Sequence, residues 1–290
     1  MNTSHFVTEA EQIARAAGEL LKQFYESGVV TEYKGDVDLV TEADRASERL
    51  IVEQLRRAFP EHGILGEEGT REHSAAEFLW HVDPLDGTTN FAHGFPVFCV
   101  SLGLEHRPPG LAAGADGTLL AGVIHDPLRN ETFTAAQGEG ARLNGHPMHV
   151  SRVNELAEAL VATGFPSHKR HANPNIHFYQ QFTLRSHGVR RAGSAALDLA
   201  YVACGRFDAY WEFNLNSWDT AAGALLVQEA GGMISDFSAG KFQLASREVL
   251  ATNGRLHQEM LDLFQHLFAD DDPGPIPTPA EYAARRRQRT

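Results

Sequence analysis

Apolar positions recur at three- and four-residue spacing near the start of the chain. Over residues 8–25 they are Ile13, Ala16, Ala17, Leu20, Leu21 and Phe24, a spacing typical of an amphipathic helix. A second helix is predicted over residues 42–59, with Thr41 as its N-cap and Pro60 after its last turn. The segments GILG and FLWHV then predict two short strands, and each runs directly into acidic residues.

Alternating, β-rich segments replace the helical spacing over residues 97–150. They read VFCVSLGLEH, LLAGVIHDPL, NETFTAAQG and ARLNGHPMHV, and Gly, Pro and Asn turns separate them, which predicts an antiparallel meander. The second half alternates predicted strands and helices up to RLHQEMLDLFQHLF. Layered sheets and helices of the α+β or mixed α/β class are therefore predicted. The boundary is expected near residue 150, between an N-terminal α+β lobe (1–150) and a C-terminal α/β lobe (151–269).

Composition narrows the class of protein. A chain of 290 residues with 42% apolar content can bury one large core or two modest lobes. The formal charge of −13, with Lys and Arg scattered, argues against a general nucleic-acid surface. No signal peptide and no run of 18 apolar residues is present, so a cytoplasmic protein without membrane contact is expected. The Pro-rich segment after residue 269 and the basic RRRQR at 285–289 predict a disordered tail, 270–290.

The two cysteines, Cys99 and Cys204, lie far apart in sequence and in no CxxC pair. Neither a disulfide framework nor a zinc site is therefore expected. Both have apolar neighbours, which favours buried structural thiols.

Acidic residues follow apolar or β-type segments in four places, at Asp44, Glu67–Glu68, Asp83 with Asp86, and Asp219. Charges at strand ends and loop mouths are often functional. Converging carboxylates raise one another's pKa unless a cation is present, and their hard oxygen atoms favour Mg²⁺ or Mn²⁺ over Zn²⁺. Each stretch alone also has a plain interpretation, as a turn or as a first-turn helix residue.

The stretch DPLDGTT adds an anion-binding feature to these carboxylates. Pro84 fixes the backbone so that Asp83 and Asp86 can point to one side. The N–H groups of Gly87, Thr88 and Thr89 can form a nest for an anion. In WDTAAG, small residues follow Asp219 and permit close packing, with Ser217 as the expected N-cap.

Three motifs, in this order and at these separations, resemble the inositol monophosphatase family. They are GEEG at 66–69, DPLDGTTNF at 83–91 and WDTAAG at 218–223, with EAGG at 229–232 in support. The likeness extends from the first helix to about residue 268. It implies a layered αβαβα sugar-phosphatase-type fold, usually a homodimer. It also implies a phosphatase that uses two or three Mg²⁺ ions, or Mn²⁺ in their place, and is inhibited by Li⁺.

The resemblance also implies a role for each motif residue. The implied metal ligands are Glu67, Asp83, Leu85 through its carbonyl, Asp86 and Asp219. The implied catalytic residues are Glu67, Thr88, which would contact the attacking water, and Asp44, which would support Thr88. The implied substrate contacts are Asp86, Gly87, Thr88, Gly193, Ser194, Ala195, Glu212 and Asp219. Ser194 stands where threonine is common, and Lys34 lies near a family lysine in a loop that is one residue shorter, so its role stays open.

Hydrolysis of a phosphate monoester, with inositol 1-phosphate as first choice, is the function that these observations favour. Glu212 can accept hydrogen bonds from a polyol and would repel a second phosphate. Alternatives on the same fold are fructose 1,6-bisphosphate, histidinol phosphate and 3′-phosphoadenosine 5′-phosphate. A haloacid-dehalogenase-like phosphatase is disfavoured because its DxDGT spacing is one residue shorter. A non-enzymatic metal-binding docking module is disfavoured because it would not need Thr88 beside the two aspartates.

Overall fold

A computed structural model of the chain describes residues 3–27, 31–33, 39–73, 75–111, 117–165 and 175–269. Lys34 and the tail 270–290 lie outside these residues, so the expectations about them stay predictions.

Seven α-helices and one short 3₁₀ helix lie in the described part of the chain. They are α1 (Thr3–Ser27), α2 (Glu42–Ala58), α3 (Thr88–Ala92), the 3₁₀ helix (Leu156–Glu158), α4 (Asn175–Arg185), α5 (Ala195–Ala203), α6 (Ser217–Glu229) and α7 (His257–Phe268). The first two predicted helices are confirmed. Helix α1 buries Ile13, Ala17 and Leu21 on one face, as the spacing predicts, but begins five residues earlier than expected.

The strands form one small sheet and two large ones. The small sheet pairs β1 (Thr31–Tyr33) with β2 (Leu39–Thr41). The eight-stranded sheet contains β3 (Gly63–Gly66), β4 (Arg71–Glu72), β5 (Phe78–Asp86), β6 (Cys99–His106), β7 (Thr118–Asp126), β8 (Glu131–Ala136), β9 (Gly140–Leu143) and β10 (His146–Pro147). The five-stranded sheet contains β11 (Leu160–Thr163), β12 (Gly188–Arg190), β13 (Ala209–Phe213), β14 (Met233–Ser235) and β15 (Glu248–Thr252).

The topology of the two large sheets matches the predicted change from an antiparallel meander to alternating strands and helices. Strands β5 to β10 lie side by side in chain order and pair antiparallel. Strand β3 pairs parallel with β5 at the other side. In the second sheet, β11 lies between β12 and β13 and is parallel to both, while β15 is antiparallel to its two neighbours.

Three buried clusters hold five layers together. One cluster joins α1 and α2 to the eight-stranded sheet. The second lies around α5 and α6, between the two large sheets. The third joins the five-stranded sheet to α4 and α7. The order of layers is αβαβα, as expected.

No helix in the described ranges is long and apolar enough to cross a membrane.

Candidate active site

The end of β5 carries the first two aspartates of the site. Asp83 is only 1% exposed, and its Oδ1 accepts a hydrogen bond from the Leu85 N–H at 3.0 Å. Gly87 follows with φ of 96°, a left-handed conformation that favours glycine. A Cβ atom there would lie 2.8 Å from the Val97 carbonyl oxygen. Both the backbone conformation and the lack of space therefore require glycine at the turn into α3. The acidic strand end is therefore both a tight turn and a rigid holder of carboxylates.

Four carboxyl groups, from Glu67, Asp83, Asp86 and Asp219, interact electrostatically at this point. Burial, and then the charges of Glu67, Asp86 and Asp219, raise the pKa of Asp83 well above its usual range. Burial and the charge of Asp219 raise the pKa of Glu67 to about 8. Burial and the charge of Asp86 raise the pKa of Asp219 to about 7. A cluster that resists ionisation in this way is a cluster that a cation would stabilise.

The donor atoms of the cluster determine which metal ion it can hold. In the described part of the chain no three such groups already surround one point as metal ligands. The donor set consists of carboxylate oxygens and the buried Leu85 carbonyl, which suits a hard divalent cation. These residues therefore fit the expected metal.

Thr88 connects the turn to α2. Its Oγ1 lies 3.0 Å from Asp44 Oδ1 and 3.1 Å from the Leu85 carbonyl oxygen. Asp44 is fully buried. Because both neighbours accept, the hydroxyl hydrogen is directed at them, and the lone pairs of Thr88 Oγ1 remain to accept a hydrogen bond from water.

Two further polar residues on the buried face of α2 were missed by sequence reasoning. Ser47 donates to the Pro84 carbonyl at 2.8 Å. Glu48, 5% exposed, accepts from the Glu68 N–H at 2.8 Å and from Thr70 Oγ1 at 2.7 Å, and thereby holds the loop that carries Glu67. The available signal was the spacing of Asp44, Ser47 and Glu48, which puts three polar side chains on one helical face.

The motif WDTAAG brings α6 unusually close to the eight-stranded sheet. A Cβ atom on Gly103 of β6 would lie 2.6 Å from the Ala221 Cβ, and one on Gly122 of β7 would lie 2.8 Å from the Ala222 carbonyl oxygen. The small residues of the motif thus meet glycines on the sheet, which confirms the expected close packing. The N-cap is Asn216 and not Ser217, since α6 begins at Ser217 and Asp219 accepts from the Asn216 N–H at 2.6 Å.

Asp86 lies against the start of α5. Its Oδ2 accepts from Ser194 Oγ at 2.6 Å and from the Ala196 N–H at 2.7 Å. Burial raises the pKa of Asp86, although these hydrogen bonds oppose the rise. The fully buried thiol of Cys99 lies 3.8 Å from the same oxygen, and burial and Asp86 hold its pKa well above the usual range. Cys99 is thus a structural thiol, as predicted, whereas Cys204 is only partly buried.

A cavity of about 410 Å³ opens over these groups. Its lining includes the predicted residues Glu67, Asp86, Gly87, Thr88, Gly193, Ser194, Ala195, Glu212 and Asp219. Asp83, Leu85 and Asp44 are buried beneath them. Apart from Lys34, the predicted site residues therefore come together around one cavity between the two large sheets.

Glu212 forms part of the wall of the cavity. It is 8% exposed and accepts a short hydrogen bond from the hydroxyl of Tyr210, which is fully buried. A Cβ atom on Gly164 would lie 2.0 Å from Glu212 Oε2, so glycine at that position makes room for the carboxyl group. Burial raises the pKa of Glu212 to about 8, with the charges of Asp219 and Asp86 adding to it.

Asn90 fixes the position of Gly193, the predicted substrate contact in front of α5. Its Nδ2 lies 2.8 Å from the Ala192 carbonyl oxygen and 3.2 Å from that of Gly193. Gly193 has φ of 85°, and a Cβ atom there would lie 3.1 Å from Asn90 Nδ2. Asn90, the last residue of DPLDGTTN, thereby connects this motif to the segment that precedes α5.

Comparison with known proteins agrees with this geometry. Residues 2–267 match the sequence model of the inositol monophosphatase family. The chain is 44% identical over 264 residues to the Nus factor SuhB of Pseudomonas aeruginosa, covering 88% of this chain and 94% of that protein. It is 42% identical over 256 residues to the inositol-1-monophosphatase of Synechocystis, covering 86% and 85%.

Solved structures give the same result for the fold. The inositol monophosphatase of Anabaena (Nostoc) superposes with a TM-score of 0.80 at 41% identity, covering 91% of this chain and 97% of that one.

Proposed function

The chain belongs to the inositol monophosphatase family, and from that premise we propose that it is a Mg²⁺-dependent phosphatase whose substrate is the phosphate monoester of a polyol, with inositol 1-phosphate as first choice. The observation that carries the proposal is the position of four mutually repelling carboxyl groups beside Thr88, under a cavity of about 410 Å³. A cluster that is costly without a cation, next to a hydroxyl able to orient water, supports metal-assisted hydrolysis over a structural role.

Each residue has a distinct part in the proposed reaction. Glu67, Asp83, Asp86, Asp219 and the Leu85 carbonyl would hold the metal ions. When bound, such ions lower the pKa of water and stabilise negative charge on the phosphoryl and leaving oxygens. Thr88, whose hydrogen points at Asp44 and the Leu85 carbonyl, accepts a hydrogen bond from the attacking water and thereby orients it. The N–H groups of Gly87 and Thr88 would hold the phosphate.

The alcohol half of the substrate is proposed to lie against Glu212, Ser194 and Ala195. Glu212 is fixed by Tyr210 and can bond to a hydroxyl either as acceptor or, when protonated, as donor. With a pKa of about 8 in the metal-free protein, it carries little charge at pH 7 and repels a second phosphate less than an ionised carboxylate would. Cations in the cluster would lower that pKa and restore the repulsion, so the preference for a monophosphate is expected to depend on bound metal.

Replacing Asp86 by Asn tests the metal-assisted reaction. We expect the D86N variant to lose Mg²⁺-dependent phosphate release while keeping its circular dichroism spectrum, because the amide removes a charged ligand. The control is D262N, which neutralises an exposed aspartate on α7 and is expected to keep full activity. Turnover of D86N at the wild-type rate would sink the assignment of the metal site.

A panel of phosphate esters tests the substrate. It consists of inositol 1-phosphate, fructose 1,6-bisphosphate, histidinol phosphate and 3′-phosphoadenosine 5′-phosphate, each with Mg²⁺ and with or without Li⁺. The highest kcat/KM is expected for inositol 1-phosphate, with inhibition by Li⁺. A strong preference for either bisphosphate would overturn the proposed substrate and leave the metal-assisted reaction standing.

Assembly is proposed on the same premise, since the family resemblance implies a homodimer. The expected cytoplasmic location stays a prediction. The P. aeruginosa relative is named a Nus factor, but the charge of −13 argues against a general nucleic-acid surface on this chain. Hydrolysis of a small phosphate ester is therefore the function we propose.

A further inference from the structure

A buried chain of hydrogen bonds links the two elements that carry Asp83 and Asp219. His81 lies on β5, two residues before Asp83, and is 3% exposed. Its Nδ1 lies 2.8 Å from Ser217 Oγ, and its Nε2 lies 3.0 Å from Glu105 Oε2. Ser217 is the first residue of α6, two before Asp219. The contact therefore joins residues 136 positions apart in sequence, each next to a proposed metal ligand.

Glu105 fixes the orientation of the imidazole ring. It is 4% exposed and also accepts from the Gly117 N–H. Burial acts to raise its pKa, but the hydrogen bonds from His81 and Gly117 lower it overall, so the group is a carboxylate. Because a carboxylate can only accept, His81 Nε2 donates the hydrogen, and the opposite ring nitrogen is thereby aimed at Ser217.

The surrounding packing places this contact where α6 lies closest to the sheet. Gly103 lies directly across from His81 in the β5–β6 pairing, and the backbone of α6 presses against Gly103. Beside it, Ser101, which lies across from Asp83, reaches the Trp218 carbonyl only at 3.4 Å. The His81–Ser217 contact, at 2.8 Å, is thus the shorter of these two polar ties between the sheet and the first turn of α6.

We propose that the Glu105–His81–Ser217 chain positions Asp219 against Asp83 and thereby sets the affinity of the metal site; this inference rests on the proposed function. His81 and Ser217 are positioning residues, since neither lines the cavity. Groups that orient metal ligands without touching the metal change affinity about 10- to 100-fold when they are removed. The effect is therefore expected in metal binding first, and in turnover only below metal saturation.

The test is direct Mn²⁺ binding to the full chain without substrate, with free Mn²⁺ measured by electron paramagnetic resonance. We expect S217A to raise the Kd for Mn²⁺ about tenfold, with S217T restoring it. H81Q keeps a donor for Glu105 but offers nothing to Ser217, so it is expected to match S217A. The double variant should be no weaker than either single one, because both remove the same contact. At saturating metal, phosphate release by S217A should stay within about twofold of wild type.

Ser235 provides the matched control. It lies on β14 of the five-stranded sheet, its hydroxyl pairs with His257 of α7 at 2.9 Å, and it does not line the cavity. S235A thus removes a buried Ser–His hydrogen bond elsewhere and is expected to keep the wild-type Kd. Wild-type Mn²⁺ affinity in S217A, or equally weakened Mn²⁺ binding in S235A, would overturn this inference and leave the proposed function standing. A wild-type protein that neither binds Mn²⁺ nor releases phosphate would overturn the proposed function, and this inference with it.

Discussion

Replacing Asp219 by Asn is expected to stabilise the metal-free protein while removing its response to Mg²⁺. Burial and Asp86 raise the pKa of Asp219 from 3.8 to about 7. The folded state therefore keeps a proton that the unfolded chain releases, so metal-free stability falls as the pH rises from about 4 to about 7. At about 1.4 kcal/mol per pKa unit, the full loss above pH 7 is about 4 kcal/mol. Asparagine carries no charge, and its Oδ1 can still accept from the Asn216 N–H.

Urea unfolding at pH 5 and pH 8, with a chelator or with Mg²⁺, measures this effect. In chelator, the stability of D219N relative to wild type is expected to improve by about 2–3 kcal/mol between pH 5 and pH 8, since the wild-type carboxyl ionises over that interval. In Mg²⁺ at 100 times its Kd, wild type is expected to gain about 2.7 kcal/mol, and D219N much less. The exposed D262N substitution is expected to change neither quantity.

The absence of this pH dependence would refute this reasoning. If D219N were less stable than wild type in chelator, by the same amount at both pH values, the carboxyl of Asp219 would be stabilising the fold through its hydrogen bond to Asn216. The repulsion among the four carboxyl groups would then be unimportant, and the main physical reason for placing cations there would be lost.

Two further predictions concern residues around the site and under α1. E48Q should weaken the hold on the loop that carries Glu67. Urea unfolding should show a loss of about 1–3 kcal/mol in stability, the usual cost of impairing a buried hydrogen-bonded charge, and half-maximal activity should need more Mg²⁺. An unchanged Mg²⁺ requirement would contradict the role of Glu48. His125 is 4% exposed beneath α1, and burial, with a smaller contribution from Arg15, lowers its pKa from 6.5 to about 4. The contribution of neutral His125 to stability is complete above about pH 6.5 and is lost as the pH falls towards 4, by about 2 kcal/mol at pH 5. Urea unfolding of H125Q should therefore show a weaker pH dependence of stability over this interval. A pH dependence equal to that of wild type would contradict the lowered pKa of His125.

Much of the fold could be predicted because its signals are local. The apolar spacing of α1 and α2 follows from burying one face of a helix, and the meander from alternation with Gly and Asn turns. The order of layers came from the family resemblance and not from periodicity. DPLDGTTN could be interpreted for the same local reason, since its turn, its glycine and its carboxylates lie within eight consecutive residues.

The support beneath the site could not be predicted in the same way. Glu48 holds a loop 20 residues away in sequence, and His81 contacts a serine 136 residues away. Gly103 and Gly122 look like weak points of two strands until α6 is placed against them. Such partners are defined by the packing of separate elements, so each residue alone has an ordinary interpretation.

The N-terminus of α6 shows how one such contact changes a local prediction. Serine is among the preferred N-cap residues, and Ser217 precedes the predicted helical turn. In the structure its hydroxyl pairs with His81, the helix begins one residue earlier than the cap prediction implied, and Asn216 takes the cap position. Asp219 then falls on the first turn, where it closes back on the Asn216 N–H and faces Asp83. The hydroxyl that was expected to cap α6 is thus the one that, as we propose, holds Asp219 in the metal site through His81, and S217A tests that role.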